Sequence, residues 1–160
     1  MKITLPSRTM SDQDILRFVT RTRIPNFRGV HMRDELTGKL SGPRKNECGI
    51  LNLETHLQTG THWTCWFKRG KERYYFDSYG EPPPQEMIKY LKSVDELEND
   101  KPVIKRSAVT VQHDGSSECG ALCLYVLKQM SDGILFPVLL DGLVKRYEHN
   151  GPIPRLVIQL

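Results

Sequence analysis

The stretch Gly60-Thr-His62-Trp63-Thr-Cys65-Trp66-Phe67-Lys-Arg69-Gly70-Lys71-Glu72-Arg73-Tyr-Tyr75-Phe76-Asp77-Ser-Tyr-Gly80 holds two aromatic and β-branched runs bounded by glycine. They read as two strands joined by a short connection. Gly70-Lys71 suits a two-residue hairpin turn with Arg69 opposite Glu72. Carried outward, that register sets Trp66 against Tyr75 and Thr64 against Asp77. His62 and Asp77 then lie on one face as diagonal neighbours, roughly 7–8 Å apart at Cα, within reach of each other's side chains. A slip of one residue would send them to opposite faces. A lone histidine beside tryptophan is ordinary core packing; this register predicts an imidazole oriented by a carboxylate.

Downstream, Gln112-His-Asp-Gly-Ser-Ser-Glu-Cys119-Gly120 leads small polar residues into an apolar helix over 121–130, which places Cys119 in its first turn. Amides at a helix N-terminus lack intrahelical partners and carry the positive end of the macrodipole, so a thiolate there is favoured over a thiol. Ser116 or Ser117 is a candidate cap, and Gly120 allows a substrate backbone to approach the sulfur. A nucleophile, a base and a group orienting the base are the parts of acyl transfer. Gln112, seven residues before Cys119, offers a side-chain N–H beside the Cys119 backbone N–H for the developing oxyanion. Taken singly, a cysteine is usually packed in a core and a glutamine usually faces water. It is the set that points to chemistry.

With His62-Trp63 on one strand, Phe76-Asp77-Ser78-Tyr79-Gly80 on the next, then Gln112 and Glu118-Cys119-Gly120, the chain resembles the adenovirus-type cysteine endopeptidases, relatives of the ubiquitin-like-protein proteases. The likeness starts near Ile24-Pro-Asn-Phe27-Arg-Gly29-Val30, runs through Glu47-Cys-Gly-Ile-Leu-Asn52 and fades after Met130. It implies an α+β fold with a mixed sheet packed on a central helix that carries the nucleophile. It also implies Cys119 as nucleophile, His62 as base, Asp77 as its orienter and Gln112 as oxyanion donor, with Trp63 and Gly120 at the substrate. The expected reaction is cleavage of precursor proteins at small-residue or glycine-containing sites, in the maturation of viral or mobile-element structural proteins. The acid is Asp77 where the adenoviral enzymes carry Glu; Asp is usual in the wider clan. Residues 101–112 hold no cysteine, so a disulfide-linked peptide cofactor is not implied. No cofactor is expected to be required, while stimulation by DNA or an activating peptide stays open. Two alternatives stand beside this: a protease specific for ubiquitin or a ubiquitin-like modifier, and a non-catalytic DNA-binding or scaffold protein that keeps the protease fold.

Composition agrees with one protease domain over 1–160. Charged residues make up 26% and hydrophobic ones 38%, ordinary for a globular chain that buries about 70% of its unfolded surface. The four cysteines, at 48, 65, 119 and 123, lack zinc-ligand spacing. Cys123, one helical turn from Cys119, reads as core. No apolar run has the length of a membrane span and the first residues lack a signal-peptide centre. A monomer inside the cell is expected, and the resemblance implies the host nucleus or the virion. Residues 1–45 carry ten Lys or Arg against four Asp or Glu. Arg17, Arg21, Arg23 and Arg28 therefore form either a DNA-binding face or a solvated basic one.

The remaining elements follow from periodicity and caps. Ser11-Asp-Gln-Asp14 predicts a helix start, with Ile15, Phe18 and Val19 inward and a stop before Pro25. Residues 37–46 read as a loop. Pro82-Pro83-Pro84 leads into a helix through Leu91 with Met87, Ile88 and Leu91 inward. Residues 93–101 read as an acidic connector, 103–111 as a strand delivering Gln112, 134–147 as a helix with Pro137 in its first turn, and 156–160 as a terminal strand.

Overall fold

In chain order the elements are β1 (Lys2–Thr4), α1 (Asp12–Thr22), β2 (Phe27–Met32), a 3-10 turn (Arg33–Glu35), α2 (Leu36–Lys39), β3 (Asn46–Asn52), β4 (Trp63–Arg69), β5 (Glu72–Phe76), α3 (Gln85–Lys92), β6 (Ile104–Arg106), α4 (Cys119–Ser131), α5 (Phe136–Tyr147) and β7 (Val157–Gln159). They are taken from a computed structural model that describes residues 1–54, 62–92 and 103–160. The expected acidic connector at 93–101 lies outside those residues.

The hairpin forms in the register its sequence predicts. Arg69 pairs with Glu72, Trp66 with Tyr75 and Cys65 with Phe76, and Gly70 takes the left-handed conformation at φ +60° that a tight hairpin turn requires. Around this hairpin a five-stranded mixed sheet assembles in the order β2-β3-β4-β5-β6. β4 is antiparallel to both neighbours, while β2 runs parallel to β3 and β6 parallel to β5. β4 is buried on both faces up to Lys68, which is why its aromatic residues, Trp63, Trp66 and Phe67, do not alternate with polar ones. From one face Cys65 and Phe67 join the core with Cys48, Ile50, Phe76, α1 and α4. From the other Trp66 packs with Leu51, Tyr75, Leu36 and the Met87, Tyr90 and Leu91 side chains of α3. Gly49 makes room for that indole: a Cβ there would stand 2.2 Å from Trp66 Cη2.

α1 begins as its sequence predicts. Ser11 caps it, the Ser11 hydroxyl accepting the Asp14 N–H and the Asp14 carboxylate accepting the Ser11 N–H, a reciprocal capping box. It ends at Arg23 in the left-handed conformation, before Pro25. α4 runs through the core with Ala121, Leu122, Cys123, Leu124, Val126, Leu127 and Met130 all buried. That all-round burial matches its nearly unbroken apolar sequence.

Several expectations are corrected. Residues 37–46 are not loop throughout, because α2 begins at Leu36, whose fully buried side chain anchors that turn among Trp66 and Met87. In α3 it is Tyr90 that goes fully inside, while Ile88 stays half-buried. β6 is three residues long instead of spanning 103–111. Beyond Arg106 the chain leaves the ladder to hydrogen-bond the turn after β5: Ser107 Oγ accepts the Asp77 N–H at 3.0 Å and the Val111 N–H donates to Ser78 O at 2.8 Å. The terminal strand β7 finds its partner in β1, with Ile3 opposite Ile158.

Arg28 does not belong to an exposed basic face. Its guanidinium bonds Glu47 Oε2 at 2.9 Å and is only 6% exposed. The Glu47 carboxylate also accepts from the Arg44 N–H at 2.7 Å, Trp66 Nε1–H at 2.9 Å and Tyr90 O–H at 2.7 Å. A buried carboxylate needs such a full set of donors, so Arg28 is held inside the fold and is withdrawn as a DNA contact. Among the described residues no helix is long and apolar enough to cross a membrane.

Candidate active site

His62 stands immediately before β4 and Asp77 immediately after β5, so the hairpin register brings them together at one end of the sheet. His62 Nε2 lies 3.1 Å from Asp77 Oδ1. Asp77 is 1% exposed, and the same Oδ1 accepts the Tyr79 N–H at 2.8 Å, which fixes the carboxylate from a second side. The turn behind it is tight: the Gly80 N–H donates to Asp77 O at 2.9 Å with φ of +76° at Gly80. A Cβ on Gly80 would stand 2.9 Å from the Val109 backbone, so glycine is needed there for both reasons.

With Nε2 donating to Asp77, the other ring nitrogen, Nδ1, is left for the Cys119 thiol, whose influence on the imidazole favours its charged form. Burial disfavours the imidazolium, but the bond to Asp77 and the contact with Cys119 outweigh it. The net effect raises His62 from an ordinary 6.5 to about 9. Tyr79 stacks on the imidazole, ring centroids 5.2 Å apart and 27° between planes.

Cys119 is the first residue of α4. The residue in the cap position is Glu118, which makes no side-chain cap bond, so neither Ser116 nor Ser117 caps the helix as the sequence suggests. Ser116 instead offers its carbonyl to Gln112 Nε2–H at 2.9 Å. Gln112 is 2% exposed, and its Oε1 accepts a 2.6 Å bond from the Ser78 hydroxyl. These two bonds orient the amide and leave one of its two N–H groups uncommitted to either. His62, Tyr79, Gln112 and Cys119 line one cleft of about 320 Å³, together with Thr9 and the loop 115–117.

Trp63 and Gly120 fall elsewhere. The Trp63 indole N–H donates to Met10 O at 2.9 Å, and the ring lines an adjoining groove of about 370 Å³ with Met10, Val30, His31 and Asn52 rather than the Cys119 cleft. Gly120 is buried: a Cβ there would lie 3.1 Å from Met10 Sδ and 3.3 Å from Trp63 Cδ1. Its missing side chain seats α4 against Trp63 and Met10. Arg17, Arg21 and Arg23 are exposed on and after α1. Arg17 pairs with Asp14 at 3.4 Å, and Arg21 stacks on Phe18 at 5.2 Å.

Sequence reasoning missed Ser78, Tyr79 and Thr9. The first two sit inside the quoted 76–80 motif, yet their roles depend on where the 107–112 segment and the imidazole come to rest. Among the described residues no group of three or more His, Cys, Asp or Glu is arranged to hold a metal.

No family model matches the chain and no curated protein matches it. Solved structures do. The chain has the α+β fold, with its mixed five-stranded sheet and flanking helices, of a solved protease. That protease is the ASFV pS273R protease, of which two crystal structures superpose with TM-scores of 0.55 and 0.58 at 17% identity. Each superposition covers 93% of this chain and 69% or 70% of the other. A structure of the SUMO protease Ulp1 is more distant, with a TM-score of 0.47, 14% identity, and 86% of this chain and 75% of that one covered.

Proposed function

We propose that the chain is a cysteine endopeptidase that matures precursor proteins by cutting extended segments at small-residue or glycine-containing sites. The observation that carries this reading is that the hairpin over 62–77 and the segment 112–119 bring His62, Gln112 and Cys119 to one cleft, with Asp77 bonded to His62 behind it. Asp77 behind His62 favours the imidazolium, which holds the proton taken from the attacking thiol. Cys119 Sγ attacks the scissile carbonyl carbon, and the carbonyl π electrons move onto oxygen. The free Gln112 N–H and the Cys119 backbone N–H receive that oxyanion. His62 gives its proton to the leaving amine as the C–N bond breaks, then takes one from the water that hydrolyses the thioester. No step calls for a metal or an organic cofactor.

The resemblance to the adenoviral branch, with its seven-residue step from Gln112 to Cys119, supports precursor maturation, in an infected cell's nucleus or the virion, over removal of a ubiquitin-like modifier. The gathered set of four side chains argues against an idle scaffold. Exposed Arg17, Arg21 and Arg23 are the residues through which duplex DNA would bind and stimulate the enzyme. Incubation with a panel of peptides carrying small residues around the scissile bond, beside ubiquitin-like fusions, tests the reading. Cleavage of unstructured peptides is expected. Fast cleavage of the fusions with every peptide untouched would reverse the ranking, because a modifier protease draws much of its binding energy from the folded modifier.

A further inference from the structure

Two contacts tie the loop between Gln112 and Cys119 to the last turn of α5. Arg146 Nη2 donates to Glu118 Oε1 at 2.7 Å and Nη1 to Oε2 at 3.2 Å, a two-pronged pair whose side chains are only 11% and 15% exposed. Arg146 Nε is also committed, donating to Pro154 O at 2.9 Å. One residue on, the Tyr147 ring stacks on His113 at 4.2 Å, and the Tyr147 carbonyl accepts the His113 Nε2–H at 3.0 Å. Glu118 directly precedes Cys119, and His113 directly follows Gln112. The helix α5 thus grips both ends of the segment that carries the two oxyanion donors.

Glu118 places a carboxylate beside the residue that has to become a thiolate. Unpaired, that charge would oppose thiolate formation; an ion pair mostly out of water cancels it. We propose that Arg146 and Glu118 act as a charge-balanced clamp, positioning residues that fix the Cys119 amide and keep the Glu118 charge from suppressing the thiolate. The proposal rests on Cys119 being the nucleophile of the reading above. Among the described residues, the other charged or titratable groups near Cys119 include His62 with Asp77 behind it, Tyr79 with Asp114 beside it, and Cys123 one turn along α4 with Cys65 next to it. None of these is altered by changing the clamp.

The test measures alkylation of Cys119 by iodoacetamide against pH on the full chain, read by peptide mass spectrometry, so that it needs no turnover. A unit charge one residue away, at an effective dielectric of roughly 20 to 40, moves a thiol's midpoint by about one pH unit. Arg146→Gln should move the midpoint up by about that much, and Glu118→Gln should move it down. The double variant should return close to the unaltered protein. Arg146→Gln, which breaks the clamp, should also lower kcat on a cleavable peptide more than it changes KM. Loss of packing alone would lower the melting temperature without opposite shifts of the two midpoints. Coincident midpoints in both single variants would overturn the proposal. If Arg146→Gln fails to fold, Glu118→Gln decides alone, since it keeps an acceptor for Arg146 and removes only the charge. Failure of the protease reading looks different: Cys119 alkylates with a measurable midpoint while no peptide is cut.

Discussion

Asp77→Asn removes a charge and almost nothing else. The carboxylate is buried and its Oδ1 holds the His62 Nε2–H and the Tyr79 N–H; an asparagine Oδ1 can accept both bonds. Without the charge, burial of His62 acts against the imidazolium with only the Cys119 contact opposing it. The imidazole value should then fall from about 9 toward or below the ordinary 6.5. A drop of two units or more corresponds to roughly 3 kcal/mol of lost preference for the ion pair. In the unaltered enzyme kcat/KM should stay high until pH approaches 9 and fall above it, as the imidazolium that protonates the leaving amine is lost. In Asp77→Asn that alkaline limb should move down by about two units, with a loss of about tenfold at pH 8 that grows to the order of 10²-fold at pH 10. Cleavage of a fluorogenic small-residue peptide across pH 5 to 10 reads both limbs. The same raised value has a consequence for folding: the His62 pairing stabilises fully below the unfolded value near 6.5 and is lost as pH rises through about 9. An Asp77→Asn enzyme with its alkaline limb in place would refute the assignment of Asp77 as the group that holds the imidazolium.

Gln112→Ala should cost on the order of 10²-fold in kcat with the fold intact, and Ser78→Ala, which frees the Gln112 amide to rotate, should cost about tenfold; steady-state kinetics and a melting curve separate both from unfolding. Gly49→Ala should lower the melting temperature by about 5 °C or more, because its methyl would collide with the Trp66 ring and overpacking costs about 1–3 kcal/mol; calorimetry checks it. Duplex DNA should bind with a log-log salt slope near −0.9 per phosphate neutralised and without sequence preference. Replacing Arg17, Arg21 and Arg23 by Gln should flatten that slope and leave basal peptide cleavage unchanged, whereas no binding in anisotropy at about 50 mM salt would make the face a solvated surface.

What the sequence made legible was local. Gly70-Lys71 defined the hairpin turn, and the pairing that places His62 by Asp77 followed from it. Ser11 and Asp14 marked the start of α1 through their own hydrogen bonds, and the apolar run after Cys119 marked α4. What escaped was set by parts of the chain far apart in sequence. Ser78 meets Gln112 across 34 residues, and Arg146 meets Glu118 across 28. Arg28 reads as one more surface cation until the fold brings Glu47 to it with donors from Arg44, Trp66 and Tyr90. The strand expected over 103–111 shortens to three residues because the Ser107 hydroxyl and the Val111 N–H serve the turn at Asp77 and Ser78 instead. Neither propensity nor periodicity carries that information.

Cys119, the proposed nucleophile, is one of four buried cysteines, none of which forms a disulfide. A small-residue peptide bearing a thiol-directed electrophile should therefore label the protein once. Mass spectrometry of the digested adduct should find the label on Cys119, and Cys119→Ala should lose both labelling and cleavage, while Cys48→Ser, Cys65→Ser and Cys123→Ala keep both. A label on Cys48, Cys65 or Cys123 with Cys119 unmodified, or cleavage that survives Cys119→Ala, would contradict the account.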